Sequence, residues 1–159
     1  MAEVLVDDRA VMARLGPIYR ECLAQLWDTV YRARVDAASA DPGDPESAQF
    51  ERVRRSAQHL ADNFEHYPLL LIAFVRGDNS GGSIFPAVWS FMLAARSRGL
   101  GTVLTTVHVE HEAEMAELLG IPREAVTQVA LVPVAHAVGD HFERATRRPV
   151  GEVVHRERW

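Results

Sequence analysis

Few residues in this chain are equipped for chemistry. The run His108-Val109-Glu110-His111-Glu112 sets two imidazoles three positions apart among carboxylates, a spacing that lets both rings meet on one helix face. The zinc helix that carries its own general base places its histidines four apart around a glutamate, and this run does not match it. Glu110, Glu112 and Glu114 are explained by the positive end of a helix dipole, so the segment reads as a solvated first turn and no metal is expected. Cys22, the single cysteine, lies in an apolar stripe and reads as a buried small hydrophobe. All 17 basic residues are arginine, which excludes a Schiff-base amine and a phosphate-loop lysine. Arg147 and Arg148 have the fork geometry that grips phosphate oxygens, but on residue type alone they read as surface charge. Arg52, Arg54 and Arg55 read as the solvated face of a helix, and Arg76-Gly77-Asp78 as a plain turn. Trp27, Tyr31 and Phe64 sit at helical spacing that favours core packing over the lining of a substrate opening.

The frame that must position these groups is bounded by composition. With 159 residues, 48% hydrophobic and 25% charged, the chain has the make-up of a single globular domain with a real core, residues 138–159 forming an extended C-terminal arm. A net charge of -5 disfavours nucleic acid or an anionic membrane as partner. One cysteine rules out an internal disulfide framework and suits a reducing cytoplasm. Neither a signal-peptide pattern nor a membrane-length apolar run is present, Leu69 to Val75 being the longest clean one.

Val4 to Val6 reads as a strand that passes through Asp7-Asp8 into a helix with apolar positions at Val11/Met12, Leu15, Ile18/Tyr19, Cys22/Leu23, Leu26/Trp27 and Val30/Tyr31. Gly16-Pro17 is expected to break or kink it. Ala37 to Ser47 reads as a loop, Asp44-Pro45 as the cap and first residue of the next helix, and Phe50, Val53, Ala57, Leu60/Ala61 and Phe64 as that helix's core stripe. Pro68 then ends it before a doubly covered strand, Leu69 to Val75. A helix from about Ile84 to Gly99, a strand over 102–107, a helix ending at Gly120 and a strand over 126–135 complete an α/β or α+β layered domain.

One long segment narrows this choice. Gly82-Ser83-Ile84-Phe85-Pro86, continuing through Trp89, Ala94-Ala95 and Gly99-Leu100-Gly101 to Leu104-Thr105-Thr106, resembles the nitroreductase family of FMN-dependent oxidoreductases. The similarity runs on through His111-Glu112-Ala113-Glu114, Glu117 to Pro122, Val129 to Val134 and Arg147-Arg148-Pro149-Val150, in matching order and spacing. Val4 to Leu15 resembles the first core strand and helix of the same family.

The resemblance implies an α+β three-layer sandwich, an antiparallel or mixed sheet flanked by helices, built as an intertwined homodimer with FMN at the interface. Phe85 to Arg98 would be the central dimer helix, and the arm ending at Trp159 would cross onto the partner. By the same resemblance, Leu104, Thr105 and Thr106 pass beside the flavin ring, Arg147 and Arg148 hold its phosphate, and Ser83 contributes from the partner chain. NAD(P)H would supply hydride for a nitroaromatic, quinone or similar acceptor, with no catalytic side chain required. The family's opening Arg-Ser-x-Arg-like segment and its Pro-Ser-x-x-Asn-like loop have no counterpart in this sequence. Two expectations therefore stand side by side: a flavin enzyme that relies on its late arginines, or a shortened, non-catalytic scaffold or flavin-binding dimer.

Overall fold

The computed structural model describes residues 2–77, 80–139 and 147–158. Strands β1 (Ala2–Val6), β2 (Leu69–Val75), β3 (Leu100–Thr102) and β4 (Thr127–His136) form one sheet in the order β1-β2-β4-β3. Every neighbouring pair is antiparallel, so of the two sheet types expected the antiparallel one is found. Helices α1 (Arg9–Asp28), α2 (Arg32–Ala40), α3 (Pro45–Asp62), α4 (Phe85–Arg96) and α5 (Glu112–Leu119) flank it.

The unbroken hydrophobicity of β2 follows from covering on both sides. Leu70, Ile72 and Phe74 pack with Met12, Leu15, Tyr19, Phe64 and Met115, whereas Leu71, Ala73 and Val75 pack with Ile84 and Val88 of the α4 side. Each large side chain taken out of water this way contributes about 1.5–3 kcal/mol. Three layers result: α1, α3 and α5, then the sheet, then α4. Strand β4 carries one extra residue, Val129, because Ala73 pairs with Ala130 and Phe74 with Gln128.

Two aspartates start the long helices. Asp8 Oδ1 accepts from the Ala10 and Val11 N–H groups at 2.7 and 3.2 Å, and Asp44 Oδ2 from the Ser47 N–H at 2.8 Å, with Pro45 as the first helical residue. Gly16-Pro17 does not break α1, which continues for 20 residues. Tertiary ties on either side of the proline hold the helix: Leu15 and Tyr19 are buried, and Arg20 donates to the Ala61 carbonyl and, through both terminal nitrogens, to Glu65. Gly16 is small for a reason, since a Cβ there would overlap the Glu65 carboxylate. Arg20 in turn holds the Glu65 carboxyl below its ordinary range.

Three further expectations are corrected. Ala37–Ala40 belong to α2, so the loop shrinks to residues 41–44; Arg32 bridges Asp28 and Asp36 one turn to either side and supports that short helix. The strand expected over 102–107 lies earlier, at Leu100–Thr102, and is followed by a lone bridge at Thr105 and a 3-10 turn over Val107–His111. Val53, expected in the core stripe of α3, is exposed. Of the proposed arm, residues 140–146 and Trp159 lie outside the described residues; Arg147 to Arg158 are exposed and contain one 3-10 turn, Val150–Glu152. Among the described residues no helix is long and apolar enough to cross a membrane.

Candidate functional site

Thr105 anchors the loop after β3. Its N–H and C=O both pair with Leu131 of β4 at 2.9 Å, and its hydroxyl accepts from the Val107 N–H at 3.2 Å while lying 3.0 Å from the Tyr19 hydroxyl. Burial drives the Tyr19 phenol up to about 12, so it remains a neutral strut. The Thr105 hydroxyl is thus engaged in positioning the loop. Leu104 and Thr106 flank the Thr105–Leu131 bridge outside any strand. Among the described residues neither N–H has a backbone acceptor.

Leu104, Thr105 and Thr106 close one end of a cleft of about 620 Å³ between α1 and α3. Two helices crossing antiparallel make its walls: Arg20 of α1 touches Ala61 of α3, and Trp27 further along α1 meets Phe50 nearer the start of α3. Glu46 and Ala57, both in the wall, lie about 16 Å apart along α3. The far end is aromatic: the Trp27 and Tyr31 ring centroids are 5.5 Å apart, Trp27 and Phe50 6.1 Å, and Tyr31 and Phe50 6.2 Å. Trp27 packs against the core, as expected, and also lines an opening; Tyr31 lines the same opening and is not part of the core, contrary to expectation. Phe64 does pack in the core, stacked on Tyr19 at 4.8 Å. Helical periodicity cannot separate a cleft wall from a core face, because both ask for apolar side chains every three or four residues.

Gln49 and Val53 also line a second, more open cleft with Arg52, Arg147, Arg148 and Pro149. The two late arginines thus lie across one ridge of α3 from the Leu104–Thr106 cleft. Arg52, read from sequence as solvated, joins them because Gln49, Arg52 and Val53 share a helix face. Among the described residues, three arginines and one glutamine line this second cleft, side chains of the kind that bind an anion. Ser83 lines neither cleft: it is exposed on the turn entering α4, across the sheet.

The histidine run behaves differently from its reading. His108 is fully buried with no hydrogen-bond partner on either ring nitrogen, and burial alone pushes its pKa down to about 4. His111 instead places Nδ1 2.7 Å from Glu114 Oε1 and Nε2 3.1 Å from Gln25 Oε1, tying the start of α5 to α1. The two rings serve separate environments, and among the described residues no group of three or more His, Cys, Asp or Glu is arranged to hold a metal. Cys22 is buried, and desolvation raises its thiol to about 11.

The family model described as the nitroreductase family matches residues 4–136. Among solved structures, an iodotyrosine deiodinase bound to FMN and 3-iodo-L-tyrosine superposes with a TM-score of 0.71 at 17% identity, covering 99% of this chain and 76% of that one. The FMN-dependent nitroreductase NfnB from Mycobacterium smegmatis, in complex with NADPH, gives 0.62 at 14% identity, covering 99% and 78%. A BluB-like flavoprotein from Clostridium difficile 630 gives 0.58 at 16% identity, covering 96% and 77%. No curated protein matches in sequence.

Proposed function

Since its matched residues span most of its length, the chain belongs to the nitroreductase family, and from that premise we propose that it is an FMN-dependent oxidoreductase acting as a cytoplasmic homodimer. The observation that carries this reading is the adjacency of the two clefts: the Leu104–Thr106 loop and the Arg52, Arg147 and Arg148 cluster meet across Gln49 and Val53. That layout fits a ligand with a flat polar-edged ring at one end and a phosphate at the other. The N–H groups of Leu104 and Thr106, which have no backbone acceptor among the described residues, would meet the ring edge, and the guanidinium groups would hold the phosphate. FMN, when bound, supplies the redox chemistry, moving hydride from NAD(P)H to a nitroaromatic, quinone or similar small acceptor. The chain itself orients the ring, pairs the phosphate and excludes water, and no side-chain acid or base is assigned.

The homodimer reading rests on α4. Its outer side presents Phe85, Trp89 and Leu93 four residues apart, 38%, 61% and 54% exposed, a stripe that a second copy would cover. Ser83, at the entrance to the same helix, would then reach the partner's cleft, and of the expected arm the part after Pro149, Val150 to Arg158, would lie along the partner.

Dialysis against FMN, desalting and a visible spectrum test the assignment. A retained flavin band is expected, followed by NAD(P)H oxidation in the presence of an acceptor. Arg147→Ala and Arg52→Ala should each weaken FMN binding about tenfold while leaving riboflavin, which lacks the phosphate, nearly unaffected. A colourless protein that still dimerises would replace the enzyme with a non-catalytic scaffold.

A further inference from the structure

Strand β4 and the entrance to α4 meet at a point that ring and phosphate binding do not use. Regular alternation would turn Val129 toward α1, as it does Leu131, yet Val129 and its neighbour Ala130 both pack on the α4 side. The extra residue in β4 is what puts two consecutive side chains on one face. There Val129 meets Gly81, which is buried and holds a left-handed backbone at φ 69°. A Cβ on Gly81 would lie 2.6 and 3.0 Å from the two γ carbons of Val129, inside contact distance, but 3.4 Å from its Cβ, an ordinary contact. Val129 is β-branched and 8% exposed, so it has little freedom to turn aside. The turn that enters α4 hangs on the same glycine. The Gly81 carbonyl accepts from the Ile84 N–H at 3.3 Å across the 3-10 turn Gly82–Ile84, Ile84 is buried in one cluster with Val129, and α4 begins at the next residue, Phe85.

Resting on the homodimer reading above, we propose that Gly81 and Val129 form a lock that sets how α4 is seated on the sheet, and that Gly81 is thereby a positioning residue for the face a second copy covers. Val129 fixes how far the turn settles toward the sheet, and the missing Cβ at Gly81 lets it settle that far in a left-handed conformation without strain. A side chain at position 81 would push the turn outward. The displacement passes through Ile84 to Phe85, the first member of the exposed stripe Phe85, Trp89 and Leu93. Two packed surfaces meet to atomic fit, so a shift of one stripe by part of a side chain's width costs contacts along its whole length.

The test is sedimentation of the whole chain over a range of concentrations, for wild type, Gly81→Ala, Val129→Ala and the double variant. Gly81→Ala should raise the dimer dissociation constant about tenfold, and adding Val129→Ala, which removes both γ carbons, should bring it back to within about threefold of wild type. The left-handed strain of an alanine is common to both Gly81→Ala proteins, so the recovery reads the collision alone. Separated Gly81→Ala subunits should remain folded by circular dichroism, which sets positioning apart from a merely weakened fold. If they unfold instead, a folded dimer restored by Val129→Ala supports the lock, and failure to restore one overturns it. A dimeric wild type whose association is indifferent to Gly81→Ala, or is weakened equally with Val129 intact or cut to alanine, overturns the lock alone. A wild type that stays monomeric overturns the homodimer reading and the lock with it, so the two failures are told apart by the wild type.

Discussion

The two faces of the sheet are built to different degrees of completion. On one, α1, α3 and α5 bury Met12, Leu15, Tyr19, Phe64, Ile72 and Met115 to 1% exposure or less. On the other, α4 seats Val88 and Ala95 but leaves Trp89 and Leu93 more than half exposed. The first face is finished within one chain, and the second is finished only if something else packs on it. The cleft opens along the finished face, so its walls hold their shape without a partner. Ser83 sits on the unfinished one.

Breaking the finished face should give the largest effect. Phe64→Ala removes a fully buried ring stacked on Tyr19 and is expected to cost about 3–5 kcal/mol, read from urea unfolding. A loss below about 1 kcal/mol would mean that the face is more loosely packed than described. Next comes pH. With its folded pKa near 4 and the ordinary value at 6.5, His108 stays neutral in the fold while the unfolded chain takes up a proton. Below pH 6.5 the unfolded state binds more protons, so stability falls as pH drops toward 4, by up to about 3 kcal/mol. His108→Leu should flatten that acid slope, seen by comparing unfolding midpoints at pH 7.5 and pH 5. The smallest change to a single chain should come from the unfinished face. Trp89→Ser with Leu93→Ser should convert dimers to monomers in sedimentation, and its unfolding midpoint should no longer rise with protein concentration. The stability left should agree within about 0.5 kcal/mol with the wild type extrapolated to high dilution.

Much of the layered frame was legible in the sequence because strands and caps announce themselves locally. Asp44-Pro45, the run Leu69–Val75 and Gly120 each fix an element through one or two bonds or one dihedral, φ 67° in the case of Gly120. What escaped depended on distant partners. Gly16-Pro17 looks like a break until Glu65, 49 residues on, is seen to need the space beside Gly16. Arg52 looks like any exposed cation until the chain returns at Arg147, and His108 looks solvated until its turn packs against α1. The aromatic cleft wall was visible as residues but not as a wall, since its three rings come from α1, the α1–α2 turn and α3.

The single extra residue of β4 gives that strand two phases. From Ala130 onward the alternating side chains keep step with β2, so Ala130, Val132 and Val134 face α4 and Leu131 faces α1. Before it, the count slips by one at Val129, and Gln128 comes to the α1 side, opposite Phe74, where its Nε2 donates to the Glu112 carbonyl at 2.9 Å. A residue inserted between Ala130 and Val134 would trade the two faces over that stretch of the strand, whereas the stretch at Val129 already accommodates a miscount. Variation in chain length should therefore be absorbed at the Val129 end of β4 and rejected in its middle, irrespective of which side chains are involved.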